Sequence, residues 1–209
     1  NGPISFKTDQ ALVIYGGLTG DSTSVQKWGG GSIQIGGNSA TFGANWTVDQ
    51  AQLISLNGRT DQKPLGTGNV TLNPGGILRI AAPTNVQGTL TVNSDAASLG
   101  VLTLEYNPKA GGTYDLPTVT WNANGGPSIG TLGVDIVGFT RSLDLGVIGD
   151  GSAFLGSNAG GFYQAPSLTP SGTVYRLGTG GATLSIMSPV VNGAGNSVQG
   201  FRAGQCDTQ

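Results

Sequence analysis

Short segments in which apolar and polar residues alternate run along almost the whole chain. Each spans four to six residues, with one face of Val, Ile, Leu or aromatic side chains and another of Thr, Ser, Gln or Asp, which is the period-2 pattern of a half-buried strand. The clearest segments are 12–15, 32–35, 69–72, 77–80, 88–92, 101–106, 118–121, 132–136, 142–145, 173–176 and 182–186. Turn-forming clusters separate them, among them Gly29–Gly31, Asn73–Gly76, Ala110–Gly112, Asn124–Pro127 and Gly149–Gly151.

Helical patterns are nearly absent, because Gly or Pro interrupts almost every window long enough for three helical turns. The best exception lies within residues 44–57. There Trp46–Val48 alternates like a strand, whereas Asp49–Ile54 is compatible with one helical turn. We predict strand for both parts, because β-branched and aromatic residues dominate them.

The spacing of the strands suits a sandwich or a solenoid, and two features favour the solenoid. The polar faces carry Thr, Ser, Asn and Gln rather than Lys and Glu, as expected where like residues stack and like charges would repel. The chain also repeats itself: Leu65–Leu72 recurs as Leu177–Leu184, and a looser echo links Gly68–Asn73, Gly88–Asn93 and Gly100–Glu105. These spacings indicate coils of about 20–30 residues. We therefore predict one all-β solenoid domain over residues 1–209, with an antiparallel β-sandwich as the alternative.

Composition excludes several classes of function. Charged residues make up 10% of the chain, the formal net charge is −2, and Lys and Arg together number only nine, so the electrostatic footprint of a nucleic-acid binder is lacking. The chain has no histidine for a catalytic triad or a metal site, and its one cysteine, Cys206, can form no intrachain disulfide. It also has no run of 18 apolar residues, so we expect no helical membrane span.

The acidic residues are scattered singly, and this argues against catalysis. Asp144 and Asp150 lie near Gly-rich turns, where a carboxylate pair could in principle act on a glycan. Aspartate is common at turns because it bonds its own backbone, and we favour that role. Residues 144–151 superficially resemble a calcium-binding Gly/Asp repeat, but such sites need the repeat in several copies. We therefore predict no enzyme activity, no catalytic, cofactor-binding or metal-ligating residues, and no cofactor.

Aromatic residues and the single thiol are the remaining candidates for binding. A solvent-facing row of tryptophans could stack on sugars, but Trp46 and Trp121 lie in alternating strands, so we expect them in the core or at its ends. Trp28 is the third tryptophan. Cys206 is interpreted as an isolated thiol, with a partner in an adjoining part of a longer protein as the alternative.

The run Leu65–Leu78 resembles the autotransporter-associated β-strand repeat of large bacterial surface proteins. It has the Leu-Gly-x-Gly corner, the x-Val-Thr-Leu strand, the Asn-x-Gly-Gly turn and a second apolar strand. Ser32–Gly37 with Trp46–Val48 fits the strand pair that usually precedes this repeat, and Gly172–Leu184 resembles a recurrent element of giant passengers that carry it. The resemblance covers about half of the chain. It implies a right-handed parallel β-helix exported to the cell exterior, and it supplies no catalytic residues.

The expected function is an extracellular structural or adhesive module of a bacterial cell-surface or matrix protein, and a segment of a longer repetitive chain. The alternatives are a polysaccharide-degrading enzyme on the same β-helix and a segment of a phage fibre. Expected partners are other copies or adjoining repeats, with surface glycans as a further class.

Self-association is expected through the ends of the solenoid. Neither terminus shows an amphipathic helix or a charged block that would cover a terminal strand edge, so unpaired N–H and C=O groups are expected there. The lysines that commonly block such edges number four: Lys7, Lys27, Lys63 and Lys109. A net charge near zero also weakens the repulsion between copies.

Overall fold

Parallel strands stack into a β-solenoid of about eight turns in the computed structural model. The structure describes residues 2–20, 23–55, 58–109, 111, 115–122, 129–187, 195–202 and 205–208. Val70 pairs with Leu90 and Leu102 pairs with Leu132, so the coils run from 20 to 30 residues, as predicted. The prediction of an all-β parallel β-helix is confirmed, and the antiparallel sandwich is wrong.

The strands are short because a turn-forming cluster interrupts the chain after every few residues. In chain order they are β1 (Ile4–Lys7), β2 (Leu12–Ile14), β3 (Ser24–Trp28), β4 (Ile33–Ile35), β5 (Asn45–Val48), β6 (Ala51–Ser55), β7 (Val70–Leu72), β8 (Gly76–Ile80), β9 (Leu90–Asn93), β10 (Val101–Leu104), β11 (Val119–Asn122), β12 (Thr131–Val134), β13 (Leu143–Asp144), β14 (Phe154–Gly156), β15 (Gly161–Tyr163), β16 (Leu168–Thr169), β17 (Val174–Arg176), β18 (Leu184–Ile186), β19 (Ser197–Arg202) and β20 (Gln205–Thr208). Two 3-10 turns cover Pro83–Asn85 and Leu145–Val147.

Two long sheets organise the chain up to β14. Sheet A has the order β1-β3-β5-β7-β9-β11, and sheet B has the order β2-β4-β6-β8-β10-β12-β14. After β12 the chain no longer returns to sheet A. Instead β13 pairs with β16, β15 with β18, and β17 with β19, in sheets of two or three strands.

The core is a set of apolar rows that run along the stack. The strands pair in register, so each residue lies above its equivalent in the previous coil. Side chains alternate between the two faces of a strand, so every second residue contributes to an inward-facing row. One row of sheet A is Ile4, Val25, Trp46, Val70, Leu90 and Val119. The facing row of sheet B is Leu12, Ile33, Leu53, Leu78, Leu102, Leu132 and Leu155. These rows are buried in the middle coils and partly open at Ile4, Leu12 and Val119.

Each of the eleven clearest predicted segments overlaps an observed strand, and the segment after Trp46 is strand in β5 and β6 rather than helix. The echo at a spacing of 20 is a true stack of β7 on β9. The echo at 12 is not, because Gly100–Glu105 lies in sheet B beside β8 and β12. The turns predicted at Ala110–Gly112 and Asn124–Pro127 lie wholly or partly outside the described residues.

The two ends of the stack differ. At the first coil, β1 and β2 are the outermost described strands of sheets A and B, and each pairs with a described strand on one side only. At the other end β20 runs antiparallel to β19 and covers its edge, which the sequence did not predict. Cys206 lies in β20 with its backbone opposite Phe201, but its side chain is outside the described part of the structure.

Within the described residues, no helix has the length and apolar character needed to cross a membrane.

Candidate functional site

The outward side of sheet A carries a regular array of uncharged polar residues, which we call the ladder face. Its central row stacks one residue from each rung: Ser5, Gln26, Thr47, Thr71, Thr91 and Thr120. Strands in a sheet lie about 4.8 Å apart, so this row presents five hydroxyl groups and the Gln26 amide at nearly constant intervals. The prediction that polar ladders stack along the solenoid is therefore confirmed on this sheet.

A second row of the ladder face is joined by side-chain hydrogen bonds. Asn73 Nδ2 donates to Asp49 Oδ1 at 2.6 Å, and Asn93 Nδ2 donates to Asn73 Oδ1 at 3.1 Å. Gln26 Nε2 also donates to Asp49 Oδ2 at 2.6 Å. The side-chain amides of Asn73 and Asn93 thus each link their own coil to the preceding one. In this row of Asp49, Asn73 and Asn93, only Asp49 is charged.

The three tryptophans have different roles. Trp46 is fully buried, and its Nε1 donates to the Leu65 carbonyl at 2.9 Å. Trp121 is partly buried against the same core. The prediction that these two fill the core or its ends is confirmed. Trp28 faces outward at the start of the ladder face, where its Nε1 donates to Ser5 Oγ and the Lys7 ammonium lies 4.9 Å from the ring centroid.

Asp144 and Asp150 have the geometry expected at turns. Asp144 Oδ1 accepts from the Gly146 amide at 2.8 Å, and Asp150 Oδ1 accepts from the Ser152 amide at 3.0 Å. In each case the acceptor bonds a backbone N–H two residues further on, as an Asx turn does. Both carboxylates therefore stabilise their own loops, in line with the role that the sequence favours.

One group of charges is less scattered than the sequence indicates. Arg79 bonds Glu105 directly, and its Nε lies 3.8 Å from Asp135 Oδ2. Glu105 and Asp135 each follow the last residue of a strand, and these last residues, Leu104 and Val134, are paired. A search for like charges at one coil length would have found this pair, so the interpretation of wholly scattered acids is wrong here.

Asp135 is held by more than this ion pair. Its side chain is fully buried, and Oδ1 accepts from Ser157 Oγ, the Asn158 amide and the Ala159 amide at 2.8, 2.8 and 3.0 Å. Several donors to one carboxylate oxygen fix the side chain in one position. This geometry ties the coil of β12 to the next coil.

Lys27, one of the four lysines that could have blocked a strand edge, lies inside the solenoid. It points into the core between Phe6 and Val48, its neighbours in the adjoining coils, and it is fully buried. Its ammonium donates to the Gly29 and Gln50 carbonyls at 2.9 and 3.0 Å. Burial lowers the pKa of this amine, and Asp9 opposes that shift. Lys27 therefore caps backbone carbonyls inside the first coils and cannot block a strand edge.

An open cleft lies where sheet A stops. It has a volume of about 370 Å³ and runs between β11 and the segment that follows β13. Val119 and Trp121 of β11 form one side, and Val147 and Ile148 form the other, with Leu132 also in the lining. Polar and apolar groups share the lining almost equally. The sequence pattern gave no sign of the cleft, because it arises from a change of sheet order.

In the part of the chain that the structure describes, no three acidic, Cys or His side chains converge as they would around a metal ion. The absence of a metal requirement stays a prediction.

No family model, curated protein or solved structure matches this chain. The resemblance of Leu65–Leu78 to autotransporter-associated repeats therefore stays a prediction about family. The corner itself has the expected form, because Gly66 and Gly178 of the two Leu-Gly corners adopt φ values of +83° and +87°, which favour glycine. The fold on its own supports a β-helical repeat architecture and nothing narrower.

Proposed function

We propose that this chain is a structural and adhesive module of an extracellular bacterial surface or matrix protein, and that it associates through its first coil. The stack of rungs provides a stiff body, because the coils up to β11 are bonded to one another along two sheets and the later coils along sheet B and shorter sheets. The first coil provides the contact. The placement outside the cell rests on the resemblance of Leu65–Leu78 to exported passengers.

The observation that carries the proposal is the exposure of apolar groups on the first coil. Leu12 and Val13 of β2 are each 37% exposed, and Tyr15, directly after this strand, is 82% exposed. Leu12 stacks on Ile33 of the next coil, and Ile33 is fully buried. Apolar side chains beside an unpaired strand edge favour the addition of another strand layer.

The outward side of sheet A carries few charges, which suits association through uncharged contacts. Net charge is −2 over 209 residues, and the ladder face is almost wholly hydroxyl and amide. Contacts made by backbone pairing and apolar burial are weakly screened by salt, unlike contacts between charges. The geometry of Asp135, Asp144 and Asp150, each occupied by backbone donors, gives no support to the alternative of a polysaccharide-degrading enzyme.

The test is sedimentation velocity of the purified chain over a range of concentrations, at low and high salt, with electron microscopy of the same samples. We expect concentration-dependent association that persists at high salt. The double variant Val13→Lys/Tyr15→Lys places two charges at the edge without touching the inward rows, and should be monomeric. Val137→Lys is the matched control, because Val137 is 79% exposed on a later coil.

A monomer at high micromolar concentration would overturn the association. Equal association by the double variant and the control would overturn the assignment to the first coil. A closed trimer without longer species would favour the phage-fibre alternative.

A further inference from the structure

We propose that the cleft beside β11 binds one extended peptide strand of another polypeptide, with apolar side chains at alternate positions. The strand would add to the free edge of sheet A as its next rung. This inference does not depend on the proposed function, because the cleft lies mid-chain and away from the first coil.

The first step is the interruption of sheet A. Sheet B continues past β10 through β12 and β14, but among the described strands none joins β11 on the side away from β9. The 3-10 turn Leu145–Val147 and the residues after it do not pair with β11, and an open cleft separates them from this strand. An edge strand presents a row of N–H and C=O groups, and an added backbone strand satisfies them best.

The second step is the incomplete burial of the core rows at this edge. Val119 stacks on Leu90, and Trp121 stacks on Val92. Leu90 and Val92 are only 2% and 0% exposed, whereas Val119 and Trp121 are half-buried. These two rows therefore lack one apolar partner each, and a strand with apolar residues at every second position would supply both.

The third step is the opposite wall of the cleft. Val147 lines the same cleft as Trp121 and is 75% exposed, and Ile148 lines it as well. A volume of about 370 Å³ is in the range of small binding pockets. At about 3.3 Å per residue, a rung the length of β11 spans roughly 13 Å, so the site would take four or five residues.

The charges near the cleft indicate which net charge the bound peptide should carry. Asp150 lies in the lining, and no Lys or Arg does. Asp115 in the neighbouring cleft is already paired with Arg141 at 3.7 Å, so Asp150 is the charge that matters for this cleft. A neutral or basic peptide is therefore favoured over an acidic one, and the rungs of sheet A show which pattern fits: apolar, Thr, apolar, as in Leu90–Val92.

The probe is a fluorescein-labelled peptide with the sequence of Gly88–Asn93, the rung that already pairs with β11 from the other side. Binding to the full chain is followed by fluorescence anisotropy. We expect saturable binding below about 1 mM, the weak end of the affinity scale. The same peptide with N-methylated alternate amides keeps its side chains but cannot pair along the edge, and should bind at least about tenfold more weakly.

Val147→Asp tests the wall of the cleft, and Val137→Asp is its control at an equally exposed valine outside it. Circular dichroism shows whether both remain folded. Val147→Asp should weaken peptide binding about tenfold or more, and Val137→Asp should leave it unchanged. No binding up to about 1 mM, equal binding of the N-methylated peptide, or equal binding by the two variants would each overturn the proposal.

Discussion

The coils up to β11 and the coils from β12 onward use the same parallel pairing but hold together differently. In the first region, rungs of three to five residues continue in register over six strands of sheet A. In the second, β13 and β16 pair over only two residues, and β15 and β18 over three. The earlier coils repeat the same pair of strands, one in sheet A and one in sheet B, whereas the later coils combine several short sheets.

The short sheets are compensated by individual polar side chains. The Tyr163 hydroxyl donates to the Ser167 carbonyl at 2.6 Å and accepts from the Leu143 amide at 2.9 Å, which links two coils. Arg176 donates to the Gly151 carbonyl at 2.6 Å across a similar gap. In the first region the equivalent links are spread over several asparagines, among them Asn45, Asn69 and Asn73. We therefore expect single polar substitutions to cost more in the later coils.

The largest expected effect is in the core of the first region. Trp46→Ala removes a fully buried indole that stacks on Phe6 and meets Phe42 edge-on. Because the coil cannot collapse around so large a cavity, the free energy of unfolding should fall by about 3–5 kcal/mol. Urea unfolding measures it. Trp28→Ala, on the outward face of the same sheet, is the control; equal losses for both would contradict the assigned core.

Tyr163→Phe tests the later coils with a change of one atom. It leaves the Leu143 amide, which is buried, without its acceptor. An unsatisfied buried donor costs about 1–3 kcal/mol, so a loss of this size is expected in the same unfolding assay. Tyr15→Phe, at an exposed tyrosine, should cost nothing measurable, and a Tyr163→Phe loss as small would show that the hydroxyl does not link the coils.

The same residue gives a pH dependence. Burial raises the pKa of Tyr163 from 10.0 to about 12. The folded state therefore holds the phenol neutral, and this contribution is complete below the unfolded pKa and is lost as the pH rises through the folded one. Between about pH 10 and 12 the wild type should lose stability relative to Tyr163→Phe. A constant difference between the two across this range would contradict the burial of the hydroxyl.

The smallest effect is expected on the ladder face. Asn73→Ala breaks the bonds to Asp49 and Asn93, which are partly open to solvent, so a loss of about 0.5–1.5 kcal/mol is expected. Asn122→Ala, at the exposed last member of the row, should cost less. A loss above that of Tyr163→Phe would reverse the comparison between the two regions.

The two regions also differ in how far the sequence predicts them. The rungs of sheets A and B alternate clearly, and their repeat length follows from the spacing of Val70 and Leu90. β3 escaped prediction because Lys27 points inward and Trp28 outward, which inverts the usual pattern. After β12 the alternation marks β13, β17 and β18, whereas β14, β15 and β16 went unpredicted because two or three residues show no clear period. The cleft beside β11 depends on where sheet A stops, and alternation along one strand carries no information about that.

The central claim is that the first coil is the surface through which copies associate. Amide hydrogen exchange of the full chain, at concentrations below and above the onset of association, tests it most directly. We predict that amides of β1 and β2 become more protected on association while those of β12 do not change. Association without added protection at β1 and β2, or with new protection confined to β19 and β20, would contradict the account.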